Sequence, residues 1–81
     1  MWIVYIVRCA DNSLYTGITT DIARRLREHN GEAGTGARYT LAKRPVAVVY
    51  LESAPTRSEA LKREAVIKKL SHTQKEKLYA L

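Results

Sequence analysis

Residues 2–8, from Trp2 to Arg8, are apolar at odd and even positions alike and rich in β-branched and aromatic side chains. Such a run predicts an interior strand covered on both faces. Ala10-Asp11-Asn12-Ser13 interrupts it with turn chemistry, since Asx side chains bond their own backbone and tolerate positive φ. Leu14 to Ile18 then returns as a second strand, completing a hairpin. Thr19-Thr20-Asp21 offers helix N-cap oxygens and Gly31, after Asn30, a natural stop; between them Ile22, Leu26 and His29 recur at helical spacing. A loop from Gly31 to Pro45 leads to a third strand over Val46–Leu51, opened by Pro45 where no ladder N–H is needed. Ala54-Pro55 breaks the chain. Thr56 with Glu59 is a capping-box pattern, and Arg57 to Leu70 reads as a helix. Two more overlapping boxes, Ser71 with Gln74 and Thr73 with Glu76, open a short last helix. The order β-β-α-β-α-α predicts an α/β fold: a small, three-stranded, mainly antiparallel sheet flanked by helices.

Eighty-one residues are enough for one domain, residues 1–81, with a thin core. Cys9 is the only cysteine, so no internal disulfide can brace it, and the two distant histidines do not make a four-ligand zinc site. The apolar start ends at Arg8, too early to span a bilayer and without a basic leader. A cytoplasmic protein is expected, with no membrane partner. The net charge of +6 points to a polyanionic partner, of which nucleic acid is the commonest.

Two placements are anomalous. Arg25 shares a helix face with Ile22, Leu26 and His29, while Arg24, Arg27 and Glu28 are assigned to the solvated face. A partly buried guanidinium needs a partner, either a carboxylate in a structural ion pair or a phosphate gripped by its planar fork. Glu64 falls within the apolar stripe of its helix, between Ala60 and Leu61 and one turn before Ile67, where glutamate seldom stands. Its plain explanation is a pair with Lys68 at i,i+4, worth about 0.3–0.5 kcal/mol.

Several short elements together resemble the GIY-YIG nuclease superfamily. Ile3-Val4-Tyr5 and Tyr15-Thr16-Gly17 match the two tripeptides that name it, keeping both tyrosines, ten residues apart, and the final glycine. Arg25-Leu26 with His29, Arg38-Tyr39-Thr40, Arg57-Ser58-Glu59-Ala60-Leu61 and Glu64 match its later elements. The likeness runs from Trp2 to about Leu78 and is nearest to the small, stand-alone YhbQ-type members.

The resemblance implies a metal-dependent nuclease that hydrolyses DNA phosphodiester bonds by in-line attack of water, with DNA repair as its setting. Tyr5 would take a proton from the water, Tyr15 would position water or phosphate, His29 would relay the proton and Arg25 would stabilise charge on the phosphate. Glu64 would be the lone protein ligand of one Mg²⁺ or Mn²⁺ ion, a cation that keeps several waters. A phenol near pKa 10 is a poor base, and a neighbouring guanidinium and metal are expected to lower that value. Arg38, Tyr39, Lys43 and Arg44 combine charge with an aromatic ring and are candidate nucleic-acid contacts, tracking a strand by phosphate pairing and base stacking; a solvated surface explains them equally well. Gly31, Gly34 and Gly36 would form either a phosphate nest or a flexible loop.

The site makes a geometric demand. Facing residues of a hairpin have a constant index sum and alternate in face. An even loop centred at Asp11-Asn12 gives a sum of 23 and separates Tyr5 from Tyr15; an odd loop or a bulge unites them. The expectation is the latter, with Tyr5 facing Gly17, a structural glycine that leaves room for backbone to approach a ligand.

The pattern departs from the family's in one place: many members carry an asparagine well beyond the glutamate, and this chain has none after Asn30. A bare module is expected to bind DNA, branched or single-stranded, weakly and with little sequence discrimination, as a monomer or weak homodimer. The alternative is a non-catalytic nucleic-acid-binding module that retains the fold, and a third reading makes the tyrosines mere packing.

Overall fold

The computed structural model describes residues 1–31 and 43–80. Arg38, Tyr39, Gly34 and Gly36 therefore lie outside the described residues. Among those described, three strands form one antiparallel sheet in the order β2-β1-β3, with β1 (Trp2–Arg8) between β2 (Leu14–Thr19) and β3 (Ala47–Ala54). Three helices follow the predicted order: α1 (Ile22–His29), α2 (Arg57–Lys68) and α3 (His72–Glu76).

The central place of β1 explains its two apolar faces. Val4 and Ile6 point to one side, where they pack with Ala54 and with Ala60 and Ile67 of α2. Tyr5 and Val7 point to the other and pack with Cys9, Val46 and α1's Ile22 and Leu26. The sheet thus separates two small cores, one under α1 and one under α2.

The hairpin has the odd loop the site requires. Cys9 N–H donates to Ser13 O and Asn12 N–H to Cys9 O, both at 2.9 Å, leaving Ala10, Asp11 and Asn12 in the turn. Asn12 has φ 70°, the left-handed residue that ends a three-residue loop of this kind. Pairing runs from Ile3↔Thr19 through Tyr5↔Gly17 to Arg8↔Leu14, so Tyr5 and Tyr15 share the α1 face. The third strand differs from its expected span, starting one residue later and running to Ala54. A shift in register between Ile6 and Val7, which pair with Tyr50 and Val48, leaves Val49 as the extra residue of a β-bulge.

The caps also follow local chemistry. Of the three candidates at the start of α1, Asp21 takes the N-cap, accepting from Arg24 N–H at 3.0 Å. Gly31, at φ 83°, supplies the left-handed stop. Thr56 Oγ1 accepts from Glu59 N–H at 3.1 Å, whereas the full reciprocal box forms at Ser71 and Gln74. α2 ends at Lys68, two residues before its expected end.

Candidate active site

The centre of the site is Tyr5, a tyrosine on the middle strand with only 1% of its surface exposed. Its Oη lies 2.7 Å from His29 Nε2 and 3.3 Å from Arg25 Nε. Arginine can only donate, so Tyr5 accepts from Arg25. The phenol proton then has one partner among these bonds, His29 Nε2, provided that the imidazole is neutral and carries its hydrogen on Nδ1. In that tautomer the two bonds run in one direction, from Arg25 to Tyr5 to His29. His29 is fully buried at the end of α1, and its ring meets those of Tyr5 and Tyr15 edge-on, with centroids 5.7 and 5.1 Å apart. Odd loop parity in the hairpin is what brings the second tyrosine into this contact.

Burial dominates the electrostatics. It pushes His29 down to about 4, helped by the Arg25 charge and opposed by Glu28; the imidazole is neutral at pH 7, as the proposed bond direction requires. Burial also raises the Tyr5 phenol, against the lowering effects of the Arg25 bond and charge, and the Tyr15 and Glu64 charges raise it further. The expectation of a lowered phenol is thereby overturned for the chain by itself: desolvation of the phenolate exceeds what one guanidinium restores. Arg25 is raised, burial notwithstanding, because its bonds to Tyr5 and Glu28 favour the charged form.

Arg25 answers both readings of a half-buried arginine. Nε holds Tyr5, while NH1 lies 3.1 Å from Glu28 Oε1 as an i,i+3 pair. Glu28 is therefore not on the face opposite Arg25, as the helical wheel suggested; three residues along a helix brings side chains together, and that spacing was the overlooked signal. Nε and NH1 each carry one of these bonds, and among the described residues NH2 carries none, so part of the guanidinium fork remains open to a phosphate oxygen.

Glu64 stands on α2, and its side chain is 18% exposed. The plain reading holds in part, since Lys68 Nζ lies 3.6 Å from its Oε2, although the lysine side chain is 52% exposed. The charge of Glu64 nonetheless reaches the Tyr5 phenol. No cluster of three or more His, Cys, Asp or Glu that could hold a metal ion occurs among the described residues. A sheltered single carboxylate, paired among the described residues with an exposed lysine, suits Mg²⁺ or Mn²⁺, which take one or two carboxylates and keep their waters.

Gly17 has a different purpose from the expected one. A Cβ there would stand 2.5 Å from Tyr5 Oη and 2.7 Å from its Cζ, so the missing side chain makes room for the phenol, not for a ligand. Lys43 pairs with Asp11 of the hairpin turn at 3.1 Å, and Arg44 donates to Asn30 O at 3.3 Å while lying over Gly31. Both brace the fold. Asn30, which sequence reasoning read only as a helix end, ties α1 to the start of β3: Val46 N–H donates to its Oδ1 at 2.8 Å, and its Nδ2 donates to Val46 O at 3.3 Å.

The family described as the GIY-YIG catalytic domain matches residues 1–77. The chain is 62% identical over 77 residues to UPF0213 protein DP2720 of Desulfotalea psychrophila, covering 95% of this chain and 69% of that protein. It is 53% identical to UPF0213 protein SH2523 of Staphylococcus haemolyticus, over 93% and 89% of the two chains. Among solved structures it is similar to EF2693 from E. faecalis, with TM-score 0.63, 53% identity and coverage of 93% and 78%. It is also similar to UPF0213 protein BH0048 from Bacillus halodurans, with TM-score 0.59, 42% identity and coverage of 96% and 82%.

Proposed function

The chain belongs to the GIY-YIG catalytic-domain family, and on that premise we propose that it is a metal-dependent nuclease hydrolysing DNA phosphodiester bonds. The observation that carries this reading is the bonded chain from Arg25 through Tyr5 to His29. A packing tyrosine needs no such chain; a proton relay does.

In this reading Tyr5 is a relay and not a resting phenolate. Its Oη takes a proton from the attacking water as its own proton passes to His29 Nε2, so the phenolate that burial disfavours need not accumulate. Arg25 offers its remaining N–H donors to a phosphate oxygen and stabilises charge developing there. Tyr15, whose ring also meets His29 edge-on, would position water or phosphate. Glu64 would hold one Mg²⁺ or Mn²⁺ ion, which supplies Lewis acidity and positive charge when bound. Little sequence discrimination is expected, because phosphate contacts carry no base information, and branched or single-stranded DNA met in repair fits such a site. No described helix is long and apolar enough to cross a membrane.

The test uses single-stranded, duplex and branched DNA with Mg²⁺, Mn²⁺ or chelator, and compares the wild type with Tyr5→Phe and Glu64→Ala. Metal-dependent cutting lost in both variants is the expected result. The competing reading, a non-catalytic DNA-binding module, is favoured by the Glu64–Lys68 pair. It would be upheld if all three proteins bind DNA and none cuts it.

A further inference from the structure

The two described residues expected to touch nucleic acid, Lys43 and Arg44, are engaged with Asp11 and Asn30. Most described arginines are likewise occupied: Arg8 bonds Tyr79, Arg63 pairs with Glu52, and Arg57 lies against the Trp2 ring. Arg24 and Arg27 differ. Both are exposed on α1, and neither side chain has a hydrogen bond, ion pair or ring contact among the described residues. The nearby Glu28, which could have paired with Arg24 at i,i+4, instead holds Arg25.

Arg24 and Arg27 are neighbours one helical turn apart, with Cβ atoms about 5–6 Å from each other. They adjoin Arg25 in sequence and stand on the exposed side of the same helix, and α1 has no acidic residue in its first turn. Guanidinium groups on long stems can reach adjacent phosphates from such a ridge, and as weakly hydrated forks they suit phosphate better than ammonium groups. Lys62 and Lys69 are also exposed, but they stand on the side of α2 turned away from Glu64, at 100° per residue, and α2 packs on the other face of the sheet.

We propose that Arg24 and Arg27 form a phosphate-tracking ridge, by which the outer face of α1 carries the DNA strand whose scissile phosphate reaches Arg25. The proposal rests on the nuclease reading for its scissile phosphate, but its test reads binding alone. A fluorescently labelled DNA single strand is titrated in EDTA, at several salt concentrations, with wild type, Arg24→Gln/Arg27→Gln and Lys62→Gln/Lys69→Gln. Thermal melts confirm that all three are folded.

Each single-strand phosphate contact contributes about 0.7 to the slope of log affinity against log salt. The arginine double variant should therefore lower the slope by about 1.4, and the lysine variant by less than half as much, although both remove the same charge. Equal effects of the two pairs, no effect of the arginine pair, or no salt-dependent binding by wild type would overturn the ridge. If the arginine effect appears while wild type cuts no DNA with metal, the ridge stands and the nuclease reading fails.

Discussion

A buried tyrosine with a guanidinium on one side and an imidazole on the other is a small electrostatic device whose setting depends on water. Excluding water raises the Tyr5 phenol and pushes His29 down to about 4, so both groups are neutral over a wide range. For His29 the consequence is a pH-dependent stability. The unfolded imidazole, near 6.5, binds a proton in the window where the folded one does not. Stability is therefore full above about 6.5 and falls as pH drops towards 4, by on the order of 3 kcal/mol over the whole window. Urea titrations across that range should show the decline, and His29→Leu should flatten it. The neighbouring glycine sets a steric limit: Gly17→Ala would drive a methyl group into the phenol. We expect a loss of about 1–3 kcal/mol, as for other overpacked sites, and displacement of Tyr5 from His29. Chemical denaturation measures the first; a collapse of cutting comparable with that of Tyr5→Phe measures the second.

Elements were legible where the signal is local or periodic. The apolar run at Trp2–Arg8, the Asx turn and the capping residues are read directly from side-chain type, and the parity of the hairpin loop followed from requiring two tyrosines on one face. The Val49 bulge was not legible, because an extra residue within the unbroken apolar stretch from Ala47 to Leu51 leaves no mark on a pattern of alternation. The roles of Lys43, Arg44 and Asn30 were hidden for another reason: each bonds a partner at least fourteen residues away, which no spacing rule reaches. The direction of the Tyr5 shift was not legible either, since a charge partner is visible in sequence and the weight of desolvation against it is not. The cap at Thr56 provides a test at this scale. It secures the first turn of α2, the helix that carries Glu64, and Thr56→Ala should cost about 1 kcal/mol in thermal or urea unfolding. Restoring the cap with Ser or Asp should recover most of that.

For the molecule as a whole, the sheet is a partition, with the Tyr5–His29 pair on one side and the helix that carries Glu64 on the other. Tyr5, Tyr15, Arg25 and His29 belong to the core under α1, while Trp2 belongs to the core under α2, half-buried with the Arg57 guanidinium 5.9 Å from its ring centroid. Trp2 is also the chain's single tryptophan. The molecule thus carries an optical reporter that is blind to the proposed proton relay. Tyr5→Phe should leave the wavelength of indole emission unchanged, whereas Thr56→Ala, by loosening the helix start beside Trp2, should shift it to the red well before global unfolding. A substrate that binds only at α1 should be silent in this signal, and one that draws Glu64 and its helix into the complex should be heard.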